Sequence, residues 1–166
     1  LPGAKILPAD PAGDDIEDAM ERGSKIHLLL EHLPLTPQQE RQIVGRQLIQ
    51  SSDNALVDEI IGLIEQPEVG WIWAQDGLNE VGITADVPPI GRIHGAIDRL
   101  VIGPDRITAI DYKSNRLVPA TPAQTPLGLQ RQLAVYQQAL RQIYPDMVIE
   151  AAILWTHTGT LTYLSD

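Results

Sequence analysis

The sequence predicts a mixed α/β domain of the α+β type, with a central mixed sheet of about five strands flanked by helices and an N-terminal helical segment. Two observations predict it. Helical and strand patterns follow one another as a run of helices, three strands, one helix and two strands. The two middle strands are apolar on both faces, as expected where helices cover a sheet on both sides. We expect one face to carry Ile97, Val101 and Ile110 and the other to carry Leu100, Ile102 and Ile107.

Composition limits the possible functions. The 166 residues are 43% hydrophobic and include no cysteine, which suits one globular domain and excludes disulfides and cysteine-ligated iron–sulfur clusters. The net charge of −10 argues against an autonomous nucleic-acid binder, since such domains are usually basic. No apolar run is long enough to span a membrane, so we expect no membrane partner and a cytoplasmic location. There is no P-loop, so we expect no nucleotide site in this segment.

The chain begins on a segment rich in proline, glycine and alanine. We expect residues 1–13 to be a linker or a disordered start. Residues 14–166 are then predicted to form one domain, excised from a longer chain.

The first half of the domain is predicted to be helical. One helix runs from about residue 14 to 31, a second over 37–51 and a third over 54–66. The apolar stripe of the first helix is Ile16, Met20, Gly23, His27 and Leu30. His27 therefore faces inward, where a lone histidine is more often a hydrogen-bonded core residue than a ligand. The alternative is a ligand or catalytic group that points toward the acidic residues of the sheet.

Short elements follow these helices. The tryptophans Trp71 and Trp73 either stack on bases or pack under a helix pair, and packing is the more frequent use. A strand over 78–87 carries Glu80 near its start. Glu80 is either a third acidic group at a site or a solvated edge residue.

A hairpin over residues 91–116 is the central feature of the predicted sheet. Its first strand carries Asp98, its second ends in Asp111-Tyr112-Lys113, and Gly103-Pro104-Asp105 is typical of a turn. A loop of two or four residues would place Asp98 directly opposite Asp111, with Cβ atoms about 5 Å apart. Lys113 shares the face of Asp111 because side chains alternate along a strand.

Two carboxylates on an apolar face repel each other and are costly to desolvate. The pair therefore needs a shared proton, a lysine or a divalent cation. Two oxygen ligands beside a lysine suit Mg²⁺ and a phosphate substrate. A loop of three or five residues would separate the acids, so the inference depends on the register.

The last third of the chain is predicted to be a helix from about 126 to 144 and strands over 147–156 and 160–164. Gln132 and Tyr136 lie at i and i+4 of that helix and can act together. Spacing alone favours a solvated glutamine and a core tyrosine.

Four motifs in this order resemble the PD-(D/E)xK nuclease superfamily: GSKIHLLLEHLP, GAIDRL, ITAIDYKSNR and LQRQLAVYQQAL. The resemblance covers about residues 20–164. It is closest to the RecB-like nuclease domain at the C-terminal end of the AddA subunit of bacterial AddAB helicase–nucleases. It implies a restriction-endonuclease-like fold, DNA as the substrate, and Mg²⁺ as the cofactor with Mn²⁺ as a substitute. It also implies a bacterial cytoplasmic protein whose partners are helicase domains of the same chain and a subunit resembling AddB.

The resemblance also implies roles for single residues. The metal ligands would be His27, Asp98, Asp111 and the carbonyl of Tyr112. The catalytic residues would be Asp98, Asp111 and Lys113, with Lys113 orienting or activating the attacking water. Gln132 and Tyr136 match a motif that contacts the nucleic-acid strand and supports the site, and Glu80 lies where the family often has an acid. Asn115 departs from the family, which frequently has an acid there.

We therefore predict a metal-dependent DNA nuclease domain. It would hydrolyse strands fed by an associated helicase during double-strand break processing and recombinational repair. Two alternatives stay open: a stand-alone repair exonuclease of the same superfamily, and a non-catalytic DNA-binding or scaffolding module of the same fold.

Overall fold

Five strands form one mixed sheet in the order β1-β2-β3-β4-β5. The structure is a computed structural model that describes residues 14–50, 53–74 and 76–164. The predicted linker over 1–13 lies outside these residues. The helices are α1 (Asp14–His32), α2 (Arg41–Leu48), α3 (Asn54–Glu65), α4 (Trp71–Ala74) and α5 (Leu127–Ile143). The strands are β1 (Gly77–Val87), β2 (Gly91–Ile102), β3 (Arg106–Lys113), β4 (Val148–Trp155) and β5 (Thr160–Tyr163).

Strand direction explains the position of α5. The β1–β2, β2–β3 and β4–β5 pairs are antiparallel, whereas β3 and β4 are parallel. Parallel neighbours need a long crossover connection, and α5 supplies it. This arrangement confirms the predicted mixed sheet with the hairpin near its centre.

Helices cover both faces of the sheet. One apolar cluster joins the sheet to α5 through residues such as Leu133, Ala139 and Ile153. A second cluster joins the other face to α1, α3 and α4 through residues such as Ile26 and Ile60. Within the described part of the chain, no helix combines the length and apolar character that crossing a bilayer requires.

The predicted register of the central hairpin is confirmed. The ladder pairs Arg99 with Ile110 and Ile102 with Ile107. The amide of Gly103 donates to the carbonyl of Arg106 at 2.8 Å, so the turn has two central residues. Asp98 and Asp111 lie one position beyond the last ladder pair.

The predicted faces of β2 are wrong in one respect. Ile97 lies in the same cluster as Leu100, although residues three positions apart should point to opposite faces. The alternation shifts where Glu80 and Asp98 interrupt the β1–β2 ladder, between the Asn79–Arg99 and Val81–Ile97 pairs. Glu80 has a φ of 49° there, and this left-handed conformation locally rotates the pleat.

The predicted stripe of α1 is also partly wrong. Met20 is 62% exposed, and the side chain of Ile16 lies outside the described part. The buried residues of the helix, Ile26, Leu29 and Leu30, lie in its last two turns, and Leu33 directly after the helix is buried as well. His27 is half-buried at the margin of this face.

The second predicted helix is shorter than expected. A single 3₁₀ turn, Gln38–Glu40, precedes α2, and Ile43 is exposed. Gly45 faces the third helix, because a Cβ there would lie 2.7 Å from Val57 Cγ1. Small volume at this contact allows α2 and α3 to pack closely.

Candidate active site

Three side chains from three elements converge at Asp98, in the middle part of β2. His27 of α1 places Nδ1 3.3 Å from Asp98 Oδ1 and 3.5 Å from Glu80 Oε1. One ligand atom from each of the three residues lies within 4.8 Å of the others. The side chain of Asp98 is 4% exposed, that of His27 is 21% exposed and that of Glu80 is 50% exposed. This group of three side chains is therefore accessible to solvent on the Glu80 side and buried at Asp98.

Asp98 is held by the neighbouring strand. Its Oδ2 accepts a hydrogen bond from the backbone N–H of Tyr112 at 2.8 Å. This hydrogen bond lies just beyond the last pair of the β2–β3 ladder. The carboxylate therefore accepts from a backbone N–H that has no partner in that ladder. A charged acceptor makes such a bond stronger than a neutral one.

Asp111 and Lys113 form a buried pair beside this group. Lys113 Nζ lies 2.5 Å from Asp111 Oδ2, and both residues are buried. Asp111 is not part of the three-residue group that His27 forms. Among the described residues, Lys113 Nζ has no hydrogen bond of suitable geometry, so the contact with Asp111 is mainly electrostatic.

The strand end that carries Lys113 is fixed by its backbone. The carbonyl of Lys113 accepts from the amide of Thr156 at 2.9 Å and from its hydroxyl at 3.3 Å. The carbonyl of Ser114 accepts from the guanidinium of Arg22 at 3.4 Å. A Cβ at Gly23 would lie 3.3 Å from Ser114 Oγ, so α1 closely approaches the chain after β3.

Buried polar side chains surround Tyr112. Its hydroxyl accepts from Trp73 Nε1 at 3.0 Å, and its ring meets the ring of His27 edge-on. Burial raises the pKa of Tyr112, although the bond from Trp73 lowers it. Burial also lowers the pKa of Arg99, whose Nε donates to the carbonyl of Ile72 at 3.0 Å. Packing of Trp73, the more frequent use of such residues, is thus confirmed.

Gln132 and Tyr136 interact, as their spacing predicted. Gln132 Nε2 donates to the Tyr136 hydroxyl at 3.1 Å, and that hydroxyl donates to the carbonyl of Ala96 at 3.1 Å. The expected core tyrosine is confirmed, but the expected solvated glutamine is wrong because Gln132 is buried. The pair ties α5 to β2 close to Asp98.

The side chains fit a divalent cation. Carboxylate oxygens are the ligands that Mg²⁺ and Mn²⁺ prefer, and an imidazole is compatible with Mn²⁺ and softer metals. Asp98 and Glu80 supply the oxygens and His27 supplies a nitrogen. Two carboxylates at this separation repel each other, and a cation between them would offset that repulsion.

Comparison with protein families agrees with this geometry. The family model of the PD-(D/E)XK nuclease superfamily matches residues 4–164. The chain belongs to this superfamily. Membership suggests a nuclease, that is, a phosphodiester hydrolase, and the mixed sheet with flanking helices is consistent with the restriction-endonuclease-like fold. A comparison with curated protein sequences finds no significant match.

Some contacts at the site have no signal in the sequence. Trp73 and Thr156 reach Tyr112 and Lys113 from elements that are distant in the chain. Their residue types occur in many roles, so no spacing rule could have selected them. Glu80 had a weak signal, since it is an acid near the start of a strand adjacent to β2.

Proposed function

We propose that this chain is a metal-dependent deoxyribonuclease that hydrolyses phosphodiester bonds, with Mg²⁺ as its cofactor and Mn²⁺ as a substitute. One observation carries the proposal. His27, Glu80 and Asp98 converge beside the buried Asp111–Lys113 pair in a chain of a nuclease superfamily. Phosphodiester hydrolysis needs oriented water, positive charge at phosphorus and a proton for the leaving oxygen. The residues at this site are of the types that meet those needs.

Each residue has a proposed role. His27, Asp98, Asp111 and the carbonyl of Tyr112 would hold the cation, and Glu80 is a further candidate ligand because it faces His27 at 3.5 Å. When bound, the cation supplies positive charge that offsets the charge developing on the phosphate. Lys113 would orient the attacking water and stabilise the same negative charge.

Gln132 and Tyr136 would contact the nucleic-acid strand. Their shared bond to the carbonyl of Ala96 supports a second role, which is to fix β2 two residues before Asp98.

Cleavage of labelled single-stranded and duplex DNA tests the proposal. Asp98→Asn keeps the size of the side chain and its bond to Tyr112, and we expect it to abolish cleavage with Mg²⁺ and with Mn²⁺. The matched control is Asp105→Asn, an exposed acid in the turn of the same hairpin, which should cleave as the wild type does. Full activity in Asp98→Asn would refute the catalytic assignment and favour a non-catalytic DNA-binding or scaffolding module.

Asp111 needs a different design. Replacing it alone leaves the buried Lys113 without its counter-charge, which costs about 3–5 kcal/mol of stability. The double variant Asp111→Asn/Lys113→Met removes both charges and keeps the volume. Loss of cleavage in a double variant that still folds supports a role for the pair in the reaction, and retained cleavage contradicts it.

We propose further that the DNA strands are delivered by a helicase during double-strand break processing and recombinational repair in the bacterial cytoplasm. The resemblance of four motifs to AddA nuclease domains supports this, and so does the net charge of −10, which disfavours capture of DNA by the domain alone. Helicase domains of the same chain and a subunit resembling AddB would be the partners.

The ATP dependence of duplex degradation by the full-length protein distinguishes a helicase-fed nuclease from a stand-alone repair exonuclease. A helicase-fed nuclease should degrade long duplexes only with ATP, yet cleave short single strands without it. ATP-independent degradation of duplex ends would favour a stand-alone repair exonuclease instead.

A further inference from the structure

Tyr112 contacts two of the three residues in the candidate metal group. Its backbone N–H donates to Asp98 Oδ2 at 2.8 Å. Its ring centroid lies 5.4 Å from that of His27, with an interplanar angle of 74°. Edge-to-face pairs at this separation are favourable and have a preferred geometry, so they restrict ring rotation.

The position of the Tyr112 ring is itself fixed. Trp73 Nε1 donates to the Tyr112 hydroxyl at 3.0 Å, and both residues are buried. Rotating the ring would break this bond and leave a buried indole N–H without its acceptor, which costs about 1–3 kcal/mol. The phenol therefore stays in one orientation.

The helix that carries Trp73 also holds the strand next to Tyr112. The carbonyl of Ile72, one residue before Trp73, accepts from Arg99 Nε at 3.0 Å, and Arg99 follows Asp98. Helix α4 thus contacts β2 and β3 beside the candidate metal group. Its four residues are too few to form a stable helix alone, so these tertiary contacts maintain it.

His27 needs such support. It lies at the margin of the buried face of α1, with a side chain that is 21% exposed. An imidazole turns about two torsions, and a change of rotamer would move Nδ1 away from Asp98 and Glu80. Groups that orient a metal-binding histidine commonly change metal affinity by about 10–100-fold when they are removed.

We propose that the Tyr112 side chain is a positioning residue that holds His27 Nδ1 toward Asp98 and Glu80, and that Trp73 fixes Tyr112. The inference rests on the proposed metal-dependent function and goes beyond it. The role belongs to the aromatic ring, because every variant at position 112 except proline keeps the backbone bond to Asp98.

Mn²⁺ affinity, measured by electron paramagnetic resonance on the full-length protein, tests the role without relying on activity. Tyr112→Leu should lower the affinity about tenfold. Tyr112→Phe keeps the ring and loses only the bond from Trp73 Nε1, so its affinity should lie between those of the wild type and of Tyr112→Leu. It should also be less stable, since Trp73 Nε1 loses its acceptor. Equal losses in the Leu and Phe variants would overturn the role of the ring.

A double-mutant cycle separates positioning from general destabilisation. In a His27→Ala background, Tyr112→Leu should cause no further loss of Mn²⁺ affinity, because its effect passes through His27. The same tenfold loss in both backgrounds would refute positioning. The control is Ile60→Ala, a cavity in the same apolar cluster, which should reduce stability without changing Mn²⁺ affinity.

The outcomes also distinguish this inference from the proposed function. If neither the wild type nor the Asp98→Asn variant binds Mn²⁺, both the proposed function and the positioning role are overturned. A wild type that binds Mn²⁺ through Asp98, together with a Tyr112→Leu variant of equal affinity, would overturn the positioning role alone. If Tyr112→Leu does not fold, Trp73→Phe takes its place: it removes the bond to the phenol and should lower Mn²⁺ affinity, and unchanged affinity contradicts the proposal.

Discussion

The contact between Asp111 and Lys113 places two buried charges 2.5 Å apart. Burying such a pair costs desolvation energy that good hydrogen bonds normally offset. Here Lys113 Nζ has no well-oriented hydrogen bond within the described residues. The lysine therefore neutralises Asp111 through its charge rather than through an aligned hydrogen bond, which suits the role proposed for it in orienting the attacking water.

Lys113 and a cation should compete for Asp111. We expect Lys113→Met to raise Mn²⁺ affinity about tenfold, a modest part of the roughly 4 kcal/mol between unit charges 4 Å apart at an effective dielectric constant of 20. DNA cleavage should fall sharply in the same variant. Mn²⁺ titration and a cleavage assay measure both effects.

The control for that substitution is Lys25→Met, which removes a lysine that pairs with Glu21 on the surface of α1. It should leave both quantities unchanged. Lower Mn²⁺ affinity in a Lys113→Met variant that still folds would show that Asp111 does not share the metal site.

Glu80 adopts a backbone conformation that residues other than glycine seldom adopt. Its φ is 49°, in the left-handed region, which costs about 1–2 kcal/mol for a side chain with a Cβ. The strain falls on a residue that faces His27. Strained residues often occur at functional sites, where the surrounding structure maintains them.

Replacing Glu80 with glycine should raise the stability of the protein and weaken its binding of metal. We expect Glu80→Gly to raise the free energy of unfolding by up to about 1 kcal/mol, because glycine tolerates positive φ. The same variant should bind Mn²⁺ more weakly. Glu80→Gln is the matched comparison: it keeps the strain and loses the charge, so it should weaken Mn²⁺ binding without the gain in stability. Urea denaturation and Mn²⁺ titration report the two quantities, and a destabilised Glu80→Gly would contradict the strain argument.

At the scale of elements, one polar network joins α1, α3 and the turn after β4. Glu59 of α3 accepts from Arg22 of α1 at 2.6 Å and lies 2.9 Å from His157 Nδ1. Arg22 also reaches the carbonyl of Ser114, one residue after Lys113. The network therefore holds the helix that bears His27 against the end of β3.

Neutralising the centre of this network should loosen α1. We expect Glu59→Gln to lower the free energy of unfolding by about 1 kcal/mol, since it weakens one partly buried contact and one exposed contact. The control on the same helix is Glu65→Gln, whose carboxylate pairs with Arg41 at 3.6 Å on a more exposed surface and should matter less. Urea denaturation of both variants is the measurement. If Glu59→Gln and Glu65→Gln have equal free energies of unfolding, the network contributes nothing measurable.

Local chemistry predicted the hairpin, whereas tertiary contacts decided the details of the site. The register, seen in the pairing of Arg99 with Ile110, depended on a loop length that the sequence left open, whereas the hairpin itself followed from the turn residues Gly103-Pro104-Asp105. The shift of faces at Glu80 did not, because a left-handed glutamate is held by its surroundings rather than by its own preference. Likewise, periodicity could not show that the buried apolar side chains in the described part of α1 lie in its last two turns.

At the scale of the whole molecule, net negative charge means that a bound cation should stabilise the fold. The chain carries a net charge of −10, and Asp98 and Glu80 lie close together at the site. Self-repulsion of this kind destabilises the compact state. A divalent ion held by these residues would relieve repulsion locally, so the stability of the fold should depend on metal.

Thermal unfolding should therefore respond to Mn²⁺ and Mg²⁺. At a metal concentration of about 100 times Kd, binding to the folded state alone adds about 2.7 kcal/mol of stability. For a chain of this length, that corresponds to a rise in Tm of roughly 5–10 °C, and a chelator should reverse it. Asp98→Asn should lose most of the rise, whereas Asp105→Asn, in the turn at the far end of the hairpin, should keep it. An equal rise in both variants would mean that the cation binds elsewhere on this acidic surface.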